Sequence, residues 1–94
     1  MLNRLAALRA MLHEMEQETG LDTLSAGQRD VMYAAQAVSS DDGLASLQDI
    51  KSHPLLKGMT RPTFFRHLAT LGEQKLLVRV GSERSGRYQI VAAR

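Results

Sequence analysis

The sequence contains no cysteine and no tryptophan. The first absence removes disulfides and thiolate metal ligands, so a core must hold by packing alone; it also suits a reducing, intracellular setting. With only two Phe and two Tyr, that core has to be assembled from Leu, Val, Met and Ala, which fits helices packed closely together. No apolar run approaches the roughly 20 residues needed to cross a bilayer, and no apolar stretch follows a basic segment at the N-terminus. A soluble, cytoplasmic protein with no membrane partner is therefore expected. Ninety-four residues suit one small domain, because a chain of this length buries only about two thirds of the surface its unfolded form exposes.

Catalytic chemistry has little to work with. His13, His53 and His67 lack the i, i+4 pairing and the Cys/His spacing of a zinc site, so no metal and no cofactor is expected. The run Gly81-Ser82-Glu83-Arg84-Ser85-Gly86 imitates the glycine spacing of a phosphate loop. That motif ends in Lys-Ser/Thr and opens a helix, whereas Arg87-Tyr88 opens a strand here. Asp41 and Asp42 fall in a loop, where solvation and turn formation account for them. An enzyme is not expected.

What is present is an uneven charge. Residues 61–94 hold seven Lys/Arg against two Asp/Glu, while residues 1–60 hold five against eight. The formal net charge of +2 indicates no partner by itself, but its placement leaves one end of the molecule suited to an anion.

Residues 1–20 read as an N-terminal amphipathic helix. Met1, Leu5, Leu8, Leu12 and Met15 alternate in steps of four and three, the spacing of a coiled-coil seam, and Gly20 supplies a left-handed C-terminal cap. This helix either pairs with a second subunit through Leu5, Leu8, Leu12 and Met15 or lies back on its own domain. Residues 21–94 follow as the second unit. Ser25-Ala26-Gly27-Gln28 fits a capping box ahead of a helix over residues 26–38, buried through Val31, Ala34, Ala35 and Val38. Ser39 to Gly43 form a loop, and Ser46 with Asp49 opens a short helix that His53-Pro54 ends.

A third core helix spans residues 60–75, with Thr60 as N-cap and Pro62 in the first turn, where a missing amide hydrogen costs nothing. At 100° per residue, Phe64, Phe65, Leu68, Leu71 and Gly72 form its expected core side. Thr63, Arg66, His67, Thr70 and Glu73 are left free. β-rich runs at residues 77–80 and 87–91 flank a turn-rich centre and predict a hairpin, with Tyr88 and Ile90 completing the core beneath it.

The fold class expected is mainly α with a small β-hairpin, in the order of a winged helix-turn-helix: a three-helix core plus wing, preceded by the N-terminal helix. The stretch Leu24–Ala92 resembles the winged-helix transcriptional regulators of the MarR type. The resemblance rests on Ser25-Ala26-Gly27-Gln28-Arg29-Asp30-Val31, on Thr60-Arg61-Pro62-Thr63-Phe64-Phe65-Arg66-His67-Leu68, and on Leu71-Gly72-Glu73-Gln74-Lys75-Leu76-Leu77-Val78-Arg79. It implies a cytoplasmic DNA-binding regulator of transcription that works as a dimer. Regulators of this type carry dimerisation helices after the wing; with Arg94 as the last residue, a minimal form is expected in which the N-terminal helix supplies the interface.

Independently of the family, a major groove about 12 Å wide admits one α-helix, and side chains near its N-terminus reach base edges. Thr60, Arg61, Thr63, Arg66, His67 and Thr70 are the candidates. Arg66 is the choice for a base contact, since a guanidinium bonds guanine O6 and N7 together; its plain alternative is a solvated helix residue. Thr60 serves as a cap, a phosphate contact, or both. In the hairpin, Arg84 at the tip suits the minor groove or phosphates, and Arg79 and Arg87 suit the backbone. Arg79 or Arg87 could instead pair with Glu73 or Glu83 on the surface. The partners expected are double-stranded DNA and a second copy of the chain. The competing reading is a winged-helix protein-interaction module in a larger assembly, its N-terminal helix binding a different chain.

Overall fold

A computed structural model describes residues 1–81 and 86–91. Four α-helices and a small antiparallel sheet follow one another as α1 (Leu2–Thr19), α2 (Ala26–Val38), β1 (Leu44–Ser46), α3 (Leu47–Lys51), α4 (Arg61–Glu73), β2 (Leu77–Val80) and β3 (Arg87–Ile90). No helix among the described residues is long and apolar enough to cross a membrane.

Helices α2, α3 and α4 each begin where the sequence provides a side-chain cap. The Ser25 hydroxyl accepts from the Gln28 amide while the Gln28 side chain accepts from the Ser25 amide, completing the capping box of α2. Ser46 Oγ accepts from the Asp49 amide at the start of α3, and Thr60 Oγ1 accepts from the Thr63 amide at the start of α4. Helix α1 ends at Gly20, whose φ of 82° lies in the left-handed region that glycine reaches without strain. At the far end of α4, Gln74 caps the helix and Lys75 takes a φ of 59°, so α4 stops short of the expected residue 75.

The core lies where α2, α3, α4 and β2 meet. Val31, Ile50, Phe64, Leu71 and Leu77 are its largest fully enclosed side chains, joined by Leu24, Met32, Leu56 and Leu68. Burying a side chain such as Phe64 contributes about 1.5–3 kcal/mol. Ala34 and Ala35 are fully buried because α2 approaches its neighbours closely there. Val38, expected to be buried with them, is partly exposed and packs against the core margin.

Phe65 departs from its expected place. It is 36% exposed, whereas Phe64 is 2% exposed. The two stand about 100° apart around the helix, and Leu68 and Leu71 centre the buried arc on Phe64, so a second adjacent aromatic falls outside it. Phe65 packs edge-on against Phe64 at 5.4 Å between ring centroids, and the Arg61 guanidinium lies 5.4 Å from its ring centre.

The expected hairpin is present and gains a third strand. The strand order is β1-β3-β2, all antiparallel, with Ala45 opposite Tyr88 and Arg79 opposite Tyr88 on the other side. Three residues are too few to show an alternating pattern, which is why Leu44–Ser46 carries no strand signal of its own. Leu77, Tyr88 and Ile90 turn to the core face, as expected for Tyr88 and Ile90.

Helix α1 packs mainly on the short turn Leu21–Thr23 that follows it. Its seam residues Met1, Leu5, Leu8 and Met15 are exposed, and Leu12 is partly covered. Glu16 ties it to α2. Glu16, only 3% exposed, accepts a hydrogen bond from the Tyr33 hydroxyl and lies 3.8 Å from Arg29 Nε. A buried carboxylate held by one donor and one cation is a costly arrangement left unpaired and a directional one when satisfied.

Candidate nucleic-acid interface

Helix α4 places its polar residues in three strips. Leu68 and Leu71 lie with Phe64 toward the core, and the outward arc opposite them carries Pro62, Arg66, Ala69 and Glu73, all exposed. Arg66 stands at its middle. Its Nη2 donates to Thr63 Oγ1 at 3.2 Å, and the Thr60 hydroxyl donates to the same oxygen at 2.9 Å. Thr60, Thr63 and Arg66 thus form one hydrogen-bonded row along the first turn and a half, which holds the guanidinium over the helix N-terminus. A side chain ordered before it meets a partner loses less freedom on binding.

The second strip faces the sheet. Arg61 and Phe65 flank it, and a groove of about 270 Å³ opens between Phe65, Ala69 and Gly72 on α4 and Leu77, Arg79 and Tyr88 on the strands. Arg79 therefore shares this side of the molecule with Arg61 and Phe65. Phe65, expected in the core, lies here instead, and the spacing of Leu68 and Leu71 relative to Phe64 is the signal that places it outside the buried arc.

The third strip turns toward α2. His67 is partly buried in it, and its imidazole packs on Gly27, where an added Cβ would fall 2.5 Å from Nε2. It sits only about 60° from Phe64 around the helix, within the margin of the buried arc. Thr70 is likewise partly buried, and its hydroxyl donates to the Arg66 carbonyl at 3.1 Å within the same helix.

Arg87 and Arg79 do not lie together. Arg79 is opposite Tyr88 in register, so it shares the core-side face of the sheet, while Arg87 and Gln89 alternate to the other face. There Arg87 lines a shallow groove with Asp42 and Asp49. The Asp42 carboxyl is held below its usual range by the Ser40 hydroxyl, then by the Leu44 amide, with the Arg87 charge adding to the effect. The arginines expected to act as a group are thus split between two faces. Arg84 lies outside the described residues.

The remaining histidines have local roles or none. His53 Nδ1 accepts from the Leu55 amide at 3.1 Å and shapes the turn before α4, and His13 is exposed on α1. Among the described residues no three His, Asp or Glu side chains converge on a metal-sized space.

Compared with known protein families, with curated proteins and with solved structures, the chain matches none of them.

Proposed function

We propose that this chain is a winged helix-turn-helix DNA-binding regulator of transcription that acts as a homodimer, with α4 entering the major groove and the β2–β3 hairpin as its wing. The observation that carries the reading is the outward arc of α4. Arg61 and Arg66 are exposed at the N-terminal end of a helix, and Arg66 is already braced by Thr63 and Thr60. That end of a groove-bound helix is the one that meets base edges. Arg66 suits guanine O6 and N7, and Phe65 and Ala69 beside it are apolar spots that suit a thymine methyl group. Arg79, on the adjoining strand, suits the phosphates flanking the same groove. Thr60 combines capping with a place beside the backbone, while His67 and Thr70 leave the contact set because they face α2 or their own helix.

The order of elements supports the same reading. Helix α2, then β1 and α3, then the amphipathic α4 with an exposed polar face, then β2 paired with β3, is the order expected of a winged helix. The exposed seam on α1 supports a second copy as partner.

Selection from a pool of random duplexes tests the proposal. Enrichment of a sequence with two related half-sites about 10 base pairs apart, lost in an Arg66→Ala variant, is the expected result. No retention of any duplex at low salt, together with recovery of a stoichiometric protein partner from cells, would favour the interaction-module reading, for which the exposed α1 seam is the supporting observation.

A further inference from the structure

Helix α1 carries its charges in two blocks. Arg4 and Arg9 occupy the first half with no acidic residue among them, and Glu14, Glu16 and Glu18 occupy the second half with no Lys or Arg. Its apolar seam runs the whole length between Met1 and Met15 and is open to solvent, with Leu5, Leu8 and Met15 each more than half exposed. At 1.5 Å per residue the helix is about 27 Å long, enough for two full heptads of contact. A helix this short, exposing such a seam, is marginal without a partner.

We infer that α1 pairs antiparallel with α1 of a second copy, and that the segregated charges set this direction. The inference rests on the two-copy reading above and adds its orientation and register. With Met1, Leu5, Leu8, Leu12 and Met15 as the a and d seam, Arg4 and Glu18 take g positions and Arg9 an e position, so in a parallel pair each Arg4 would meet the second copy's Arg9. Like charges at such positions oppose pairing. Reversing one helix sets g beside g, so each Arg4 meets the second copy's Glu18 and both Arg4–Arg9 repulsions are removed, leaving a single Arg9–Arg9 pair at the two-fold axis.

The antiparallel register that overlaps the whole helix sets Leu8 opposite the second copy's Leu12 and Leu5 opposite the second copy's Met15. Arg4 then lies beside the second copy's Glu18 at each end. The contact is two-fold symmetric and closed, so it makes a dimer and not a filament. Glu16 does not take part, because Tyr33 and Arg29 of its own chain hold it against α2. That same anchor joins the helical pair to the body that carries α4, so the pairing direction fixes how two α4 helices are presented.

Cysteine crosslinking reads the direction without background, since the natural chain contains none. Leu5→Cys and Met15→Cys change exposed residues, and helical content by circular dichroism verifies that each variant is folded. Oxidising an equimolar mixture of the two is expected to yield a disulfide-linked dimer joining one of each, while Leu5→Cys alone stays monomeric on a non-reducing gel. A disulfide needs Cβ atoms about 3.5–4.5 Å apart, which the antiparallel register provides only for the mixed pair. Efficient crosslinking of Leu5→Cys with itself would overturn the inference in favour of a parallel pair. A solution mass for the unmodified chain equal to the 10.4 kDa of one copy, instead of twice that value, would overturn it altogether. Reversal offers a second arm: Arg4→Glu is expected to raise the dimer dissociation constant at least tenfold, and Arg4→Glu combined with Glu18→Arg to recover it. Duplex DNA binding is measured separately on the same samples. Crosslinks that form while DNA binding is absent would sink the regulator reading alone, and intact DNA binding by a strict monomer would sink the pairing alone.

Discussion

The Tyr33 hydroxyl donates a hydrogen bond to the Glu16 carboxylate, so the third turn of α2 holds the last turns of α1. Burial first, and then this hydrogen bond, push the Tyr33 pKa from the ordinary 10 up to about 12. The folded chain thus binds the phenolic proton more tightly than the unfolded chain does. The stability arising from this difference is whole below pH 10 and is lost as the pH rises from 10 through 12. Chemical denaturation across that window should show a falling midpoint that flattens in Tyr33→Phe; an identical slope in both proteins would count against the assignment.

At neutral pH, Tyr33→Phe leaves Glu16 almost fully buried with only the Arg29 contact at 3.8 Å. The expected cost is about 1–3 kcal/mol, the range for a buried charged group losing one hydrogen bond. Loss of protection in amide exchange should concentrate in the C-terminal half of α1, because Tyr33 is what ties that segment to the body.

The two adjacent phenylalanines should behave differently. Phe64→Ala opens the centre of the core and is expected to cost about 3–5 kcal/mol. Phe65→Ala removes an exposed ring and its contact with the Arg61 guanidinium, and should cost no more than about 1 kcal/mol. Equal losses in urea unfolding would mean that α4 is rotated from the orientation described.

The braced arginine yields a prediction separate from charge. Thr63→Val keeps the side-chain shape and removes the oxygen that receives both Arg66 Nη2 and the Thr60 hydroxyl. Duplex affinity, measured by fluorescence anisotropy, should fall by about threefold to tenfold, in keeping with one extra immobilised side chain, with little change in thermal stability. An unchanged affinity would show that the brace has no part in binding.

Most of the helical framework was legible because its signals are local. Ser25 with Gln28, Ser46 with Asp49, Thr60 with Pro62, and Gly20 each mark a helix end through contacts within four residues. The hairpin was legible from its β-rich runs. What could not be read depends on tertiary packing. Strand β1 exists because β3 offers it an edge, and its three residues carry no period. His67 is covered because Gly27 leaves room for it, and Arg79 and Arg87 separate because the sheet alternates its faces. Glu16 carries no sequence signal of burial, because its partner Tyr33 lies 17 residues away on another helix. In the candidate site, Arg61 and Arg66 are exposed, whereas Thr63, His67 and Thr70 are partly buried.

The most direct test of the central reading is the salt dependence of binding to a mixed-sequence duplex. The account predicts that log affinity falls linearly with log salt, and that an Arg66→Ala/Arg79→Ala variant binds more weakly with a slope shallower by about one, for the phosphate contact assigned to Arg79. An affinity that does not change with salt, or a double variant that binds as the unmodified chain does, would contradict it.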